Sequence, residues 1–251
     1  MVPSEPPPDD PELEDLKERL VALVTEQVAW SRSNIDRIAR FVSASAAQPD
    51  FEDLLRAAVV FMHATVEDLL RTVGQVTLPN APEDVLNNIP LTGSKDSLRA
   101  EKFWLGGLAA FRGRTVDDVI TDSVRTYLER LTFNTTTDVV AHLTACGFSR
   151  EAMAIVTSSL PQLGELMTRR HQIVHRADVP AGASALQPID AATVDRWLTN
   201  LFVFLGGVSG GHATLLLHGH AAVRRLLGDR KPGKDAETDN ATNLPSTSRG
   251  E

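Results

Sequence analysis

A single cysteine in 251 residues, Cys146, rules out an internal disulfide and any metal site built on several cysteines, and its apolar neighbours assign it a buried place. Aromatic residues are scarce too, at 5% with one tyrosine, and no stretch alternates apolar with polar side chains for the length of a useful strand. Long runs rich in Ala, Leu, Val, Glu and Arg favour helix instead. Positive charge is in deficit: 25 Lys and Arg against 33 Asp and Glu leave a formal net charge of −8. That balance excludes coating nucleic acid by bulk electrostatics, so any nucleic-acid contact has to be local. Met1–Asp10 has neither the basic start nor the apolar stretch of a secretory signal. The segment 197–223 holds no Asp, Glu, Lys or Arg and is long enough to cross a bilayer. Asn200, Ser209, His212, His218, His220 and the glycines Gly206, Gly207, Gly210 and Gly211 argue for a buried helix there. The expectation is a cytoplasmic protein without stable membrane insertion.

With 42% hydrophobic side chains the chain can bury a full core. The Pro-rich, acidic residues 1–9 and the polar residues 229–251 are expected to be disordered, leaving one helical domain over 10–228. Asp10-Pro11 caps a long amphipathic helix whose apolar positions run from Leu13 through Trp30 to Ile35, Ile38 and Phe41. After a short polar break, Leu54, Leu55, Ala58, Phe61, Met62, Val66, Leu69, Leu70 and Val73 mark a second helix, an antiparallel neighbour of the first. Residues 75–115 read as a long connection with one short helix around Leu98 to Phe111. Thr115 caps a helix to about Leu131, and Thr136 or Thr137 caps another to about Cys146, stopped by Gly147. A helix from about Leu160 to His175 or Arg176 is ended by Asp178-Val179-Pro180, and a last one runs from Ala191 towards Leu227 with a possible break at Gly206–Gly211. The fold class is all-α, an antiparallel helical bundle.

The densest chemistry lies in Met167-Thr168-Arg169-Arg170-His171-Gln172-Ile173-Val174-His175-Arg176-Ala177-Asp178, a basic spot at a helix end in an acidic protein. His171 and His175 are four apart and share a face; Arg170 lies well round the helix, with a side chain long enough to reach the same cleft. An imidazole can take the proton from a ribose 2′-hydroxyl, and a guanidinium can hold the phosphate and the charge that builds on it. Attack of the 2′-oxygen on its own phosphodiester leaves a 2′,3′-cyclic phosphate and a 5′-hydroxyl, so these two residue types can cleave RNA with no metal or cofactor. Read as spacing alone, the same residues describe a solvated basic helix end that complements the helix dipole.

The segment Arg170–Asp178 resembles the Arg-x4-6-His motif of the HEPN superfamily, in the form where a polar residue follows the Arg and the His precedes a basic residue and Asp. The resemblance is to the RiboL-PSP-HEPN-like branch, and it extends to Val59–Arg71, to Glu101–Ala109 and to Arg114–Ile120 through Phe133-Asn134. It implies that the bundle is of HEPN type, with the long connection read at 75–115 lying between the second and third main helices. It further implies a homodimer in which two motifs share one composite active site. In that frame His175 is the general base or acid, Arg170 the phosphate clamp and His171 a positioning or substrate contact. Arg169 is an alternative clamp within the permitted spacing, and Arg176 is a supporting cation. The activity implied is an endoribonuclease, in the role of a toxin or antiviral effector, with a neutralising partner possible.

His63 and Glu67, four apart on the second helix, are placed by the same resemblance to face the motif, tuning His175 or contacting substrate; on their own they read as a polar pair at a helix edge. Asp68 and Arg71 read as surface residues. His171 and His175 have zinc-pair spacing, but Gln172 stands where a zincin carries its general-base Glu and no third ligand is evident, so no metal is expected. His212, His218 and His220 read as core or interface histidines, and the glycines beside them as a close helix-packing or dimer seam. Two competing classes remain open: a non-catalytic HEPN module that binds RNA, nucleotide or a partner protein, and a structural helical oligomer or membrane-associated scaffold.

Overall fold

The computed structural model describes residues 11–45, 51–92, 109 and 111–228. The expected disorder at 1–9 and 229–251, the cap at Asp10, the short helix around Leu98 and nearly all of Glu101–Ala109 lie outside the described residues. All regular structure among the described residues is helical: α1 Pro11–Ser45, α2 Phe51–Thr77, a 3-10 turn Leu78–Asn80, α3 Glu83–Leu86, α4 Val116–Arg130, α5 Thr136–Ala145, α6 Arg150–Arg176 and α7 Ala191–Gly228. A compact unit extends to Leu217, and a second begins at His218, within the last turns of α7. No described helix is long and apolar enough to cross a membrane.

The buried stripe of α1 runs Ser31, Ile35, Ile38 and Val42, a helical repeat of three and four. Trp30 and Phe41 fall off that repeat, and although the sequence reading placed them on the apolar face, Trp30 is 55% exposed. Gln27 donates to Asp68 from the other side of the short α1–α2 link, so the two helices run antiparallel. In α2 the buried set includes Leu55, Ala58, Val59, Met62, Val66, Leu69, Leu70 and Val73, while Phe61 is exposed.

Capping boxes open α4 and α5. Thr115 accepts from the Asp118 N–H and Thr135 from the Asp138 N–H, with each Asp returning a bond to the cap residue's N–H. The α5 cap is therefore Thr135 rather than Thr136 or Thr137, because only Thr135 has its Asp three residues on. Gly147, at φ +87, supplies the left-handed turn after α5.

Helix α6 begins at Arg150 with Ser149 as cap, ten residues before the start read from the sequence, and carries Pro161 within it. The hydroxyls of Thr157, Ser158 and Ser159 bond back to carbonyls of the preceding turn, and Asn200 donates to the Ser159 carbonyl. Pro161 has no N–H to offer the Thr157 carbonyl, and these side-chain bonds fall on carbonyls around it, at Met153, Ile155, Val156 and Ser159. Helix α7 runs unbroken through its glycines. It lies antiparallel to α6, with the Trp197 indole on Glu165, Gly207 against Val156 and Gly211 against Phe148 and Ala152. The glycine seam is thus intramolecular at Gly207 and Gly211: a β-carbon at Gly211 would sit 2.4 Å from the Phe148 ring.

Candidate functional site

The end of α6 separates two adjacent arginines completely. Arg169 is 5% exposed, donates to Asp178 Oδ2 at 2.7 Å and holds the carbonyls of Gln187 and Pro188 at 2.7 and 3.2 Å. Burial draws its guanidinium below the usual arginine range, opposed by the Asp178 charge. Arg170, one residue on and about 100° round the helix, is half-buried, its Nε is enclosed without a hydrogen-bond acceptor, and its guanidinium makes no ion pair among the described residues. Of the two adjacent arginines, Arg169 is committed to the fold, while Arg170 is in no ion pair among the described residues.

His171 and His175 stand exposed on the last two turns, ring centroids 4.5 Å apart and tilted by 45°. Neither imidazole has a hydrogen-bond partner among the described residues. Val174, between them in sequence, is 47% exposed, and Arg176 is exposed in the final turn.

Helix α2 packs against α6 and brings His63 and Glu67. His63 is buried, and its Nε2–H donates to the Phe133 carbonyl at 2.9 Å; a carbonyl only accepts, so the neutral ring carries its proton on Nε2. Nδ1 then faces the Glu67 carboxylate at 3.9 Å. Burial is the largest influence on His63 and lowers its pKa; the Phe133 bond and Glu67 oppose that, and the charges of Arg170 and Arg71 reinforce it. Arg170 is thus close enough for its charge to be felt at His63.

Arg71, read from the sequence as a surface residue, instead pins the end of α4 and the start of the α4–α5 link: it donates to the carbonyls of Leu128 and Leu131 and pairs with Glu67 at 3.3 Å. The same link carries Phe133, whose ring meets the buried His142 edge-on, and His142 donates to the Leu70 carbonyl. His63, Glu67, Arg71 and Arg170 therefore form one electrostatic group, with the exposed His171–His175 pair on the same helix as Arg170.

Two features escaped sequence reasoning. Arg56, near the start of α2, reaches Asp178 Oδ2 at 2.6 Å and the Gln187 carbonyl at 3.0 Å. Its acidic neighbours Glu52 and Asp53 look like ordinary first-turn acids, so nothing local signals this distant partner. The second is an open groove of about 480 Å³ beside α6, lined by Thr168, Arg169, Gln172, Gln187, Asp190 and Trp197 but not by Arg170 or His175. His212 is buried with Nε2 unpartnered, and burial pushes its pKa down to about 4; the side chains of His218 and His220 lie outside the described ones. Cys146 is buried, its thiol pushed up to about 12. Among the described residues no group of three or more His, Cys, Asp and Glu is placed to hold a metal ion. Compared with family models, curated proteins and solved structures, the chain matches none.

Proposed function

We propose that the chain is a HEPN-type endoribonuclease that cleaves RNA without metal, with Arg170 and His175 as its catalytic pair. The observation that carries this reading is the contrast at the end of α6: a guanidinium without a protein anion, on the same two turns as a pair of exposed imidazoles. Internal salt bridging would have consumed Arg170 if its role were structural, as it consumes Arg169.

In the reaction, Arg170 holds the scissile phosphate and stabilises the charge on its non-bridging oxygens. His175 takes the 2′-hydroxyl proton, the 2′-oxygen bonds to phosphorus, and the bond to the 5′-oxygen breaks as that oxygen gains a proton. A homodimer supplies that proton from the second copy's His175, the composite arrangement the HEPN resemblance implies. The exposed Val174 gives the motif face an apolar element for such a contact. His171 contacts substrate or its neighbour's ring, His63 and Glu67 set the local field, and Arg176 adds a cation at the rim. A toxin or antiviral effector of the cytoplasm, held in check by a neutralising partner, is the biological setting this activity suits.

The test is cleavage of a mixed RNA pool in excess EDTA by wild type, His175→Ala and Arg170→Ala. Cleavage that survives chelation and is lost in both variants supports the reading. No cleavage by any of the three refutes it in favour of a non-catalytic module that binds RNA, nucleotide or protein, and activity abolished by EDTA refutes the metal-free chemistry.

A further inference from the structure

Asp178 lies three residues beyond His175, is 1% exposed, and receives two guanidiniums on one oxygen: Arg56 Nε at 2.6 Å and Arg169 Nη2 at 2.7 Å. Both arginines also donate to the Gln187 carbonyl, and the Gln187 N–H returns to the Asp178 carbonyl at 2.8 Å. Start of α2, end of α6 and the approach to α7 are thereby tied at one point.

The backbone at that point is held in an unfavourable form. Ala177 and Asp178 both have positive φ, 48° and 62°, the left-handed region that non-glycine residues rarely occupy in succession. The N–H groups of both residues converge on the Gln172 carbonyl. As a source of stability the arrangement is poor, since a buried ion cluster is often no better than apolar packing, and here Asp178 Oδ1 and Arg169 Nε are enclosed without partners. Its evident product is geometry. His171 and His175 have no partners of their own among the described residues, so their direction depends on how this turn ends the helix.

We propose that Arg56 and Asp178, with Arg169, form a buried clamp that sets the direction of the His175 imidazole by locking the turn that ends α6, which makes Arg56 and Asp178 positioning residues for the motif. The kinetic part of the test rests on the ribonuclease reading; the spectroscopic part does not.

The experiment compares wild type, Arg56→Lys and Asp178→Asn in the full chain. Lysine keeps the charge but cannot bridge Asp178 and the Gln187 carbonyl as a guanidinium does. The imidazole signals of His171 and His175, and the cross-relaxation between their rings, are followed by NMR. The expected result is shifted signals, weaker ring-to-ring cross-relaxation, and a kcat on RNA lower by about 10- to 100-fold with KM changed less than about twofold. Unchanged imidazole signals and kcat in both variants, with only a lower melting temperature, would overturn the proposal. If Asp178→Asn does not fold, Arg56→Lys decides. If wild type cleaves no RNA, the ribonuclease reading fails and the imidazole signals alone decide the clamp.

Discussion

Alanine at position 169 and alanine at position 170 should give opposite phenotypes, although the two side chains are neighbours in sequence and identical in type. Arg169→Ala deletes one of two cations on the buried Asp178, removes one of the two guanidinium donors to the Gln187 carbonyl and takes the Arg169 donor from the Pro188 carbonyl. Breaking a buried pair costs roughly 3–5 kcal/mol; because Arg56 still holds Asp178, the lower end applies, about 3 kcal/mol. For a domain of this size that corresponds to a fall in Tm of about 6–12 °C. Among the described residues Arg170 has no ion pair to lose and its enclosed Nε has no acceptor, so Arg170→Ala should change stability by less than about 1 kcal/mol. RNA affinity reverses the order. Arg170→Ala should lower the salt dependence of single-stranded RNA binding by about 0.7 in log–log slope for each phosphate contact removed. Arg169→Ala should retain the wild-type slope at temperatures where it is folded. Circular dichroism melts and fluorescence anisotropy on the same three proteins read both quantities. Equal losses of stability in the two variants, or wild-type salt dependence in Arg170→Ala, would refute the assignment of one arginine to the fold and the other to the ligand.

Gly211→Ala places a β-carbon within 2.4 Å of the Phe148 ring and should cost about 1–3 kcal/mol through overpacking, read as a shift in urea midpoint; a neutral result would mean that the α6–α7 seam is not closely packed. His212 is buried neutral, with a folded pKa of about 4 against about 6.5 unfolded. Its contribution is therefore fully present above pH 6.5 and is lost as pH falls towards 4, about 3 kcal/mol at that limit. His212→Leu should flatten this acid limb in urea titrations at pH 7 and pH 4.5, and parallel curves for the two proteins would count against it. Val174→Glu should convert a dimer to monomer by light scattering at micromolar concentration and abolish RNA cleavage, whereas a wild-type chain that is already monomeric removes the composite site.

The helices were legible in the sequence where their signals are local. Thr115, the Gly147 stop and the three-and-four spacing of α2 placed those elements within a few residues. The start of α6 was read ten residues late, because its first ten residues, 150–159, bury only Val156 and Ser159 and so carry little apolar signal. The arginine ambiguity at 169 and 170 could not be resolved by spacing, since what distinguishes them is that Arg169 donates to Asp178, a carboxylate it shares with Arg56 more than a hundred residues earlier in the chain. Arg71 was misplaced for the same reason: its acceptors are backbone carbonyls at the end of α4 and just beyond it, and carbonyls leave no mark in a sequence.

The continuity of α6 through Pro161 makes it a lever. Its contacts with the glycines of α7 centre near Ala152 and Val156, and its basic turns lie near Gln172, some 27 Å further along at about 1.5 Å per residue. A tilt of only about 2° at the seam would swing the histidines by about 1 Å, a displacement that can cost an active site about a hundredfold in rate. The smallest side chains in α7 thus hold one end of a long helix whose other end is held by the Arg56–Asp178 clamp.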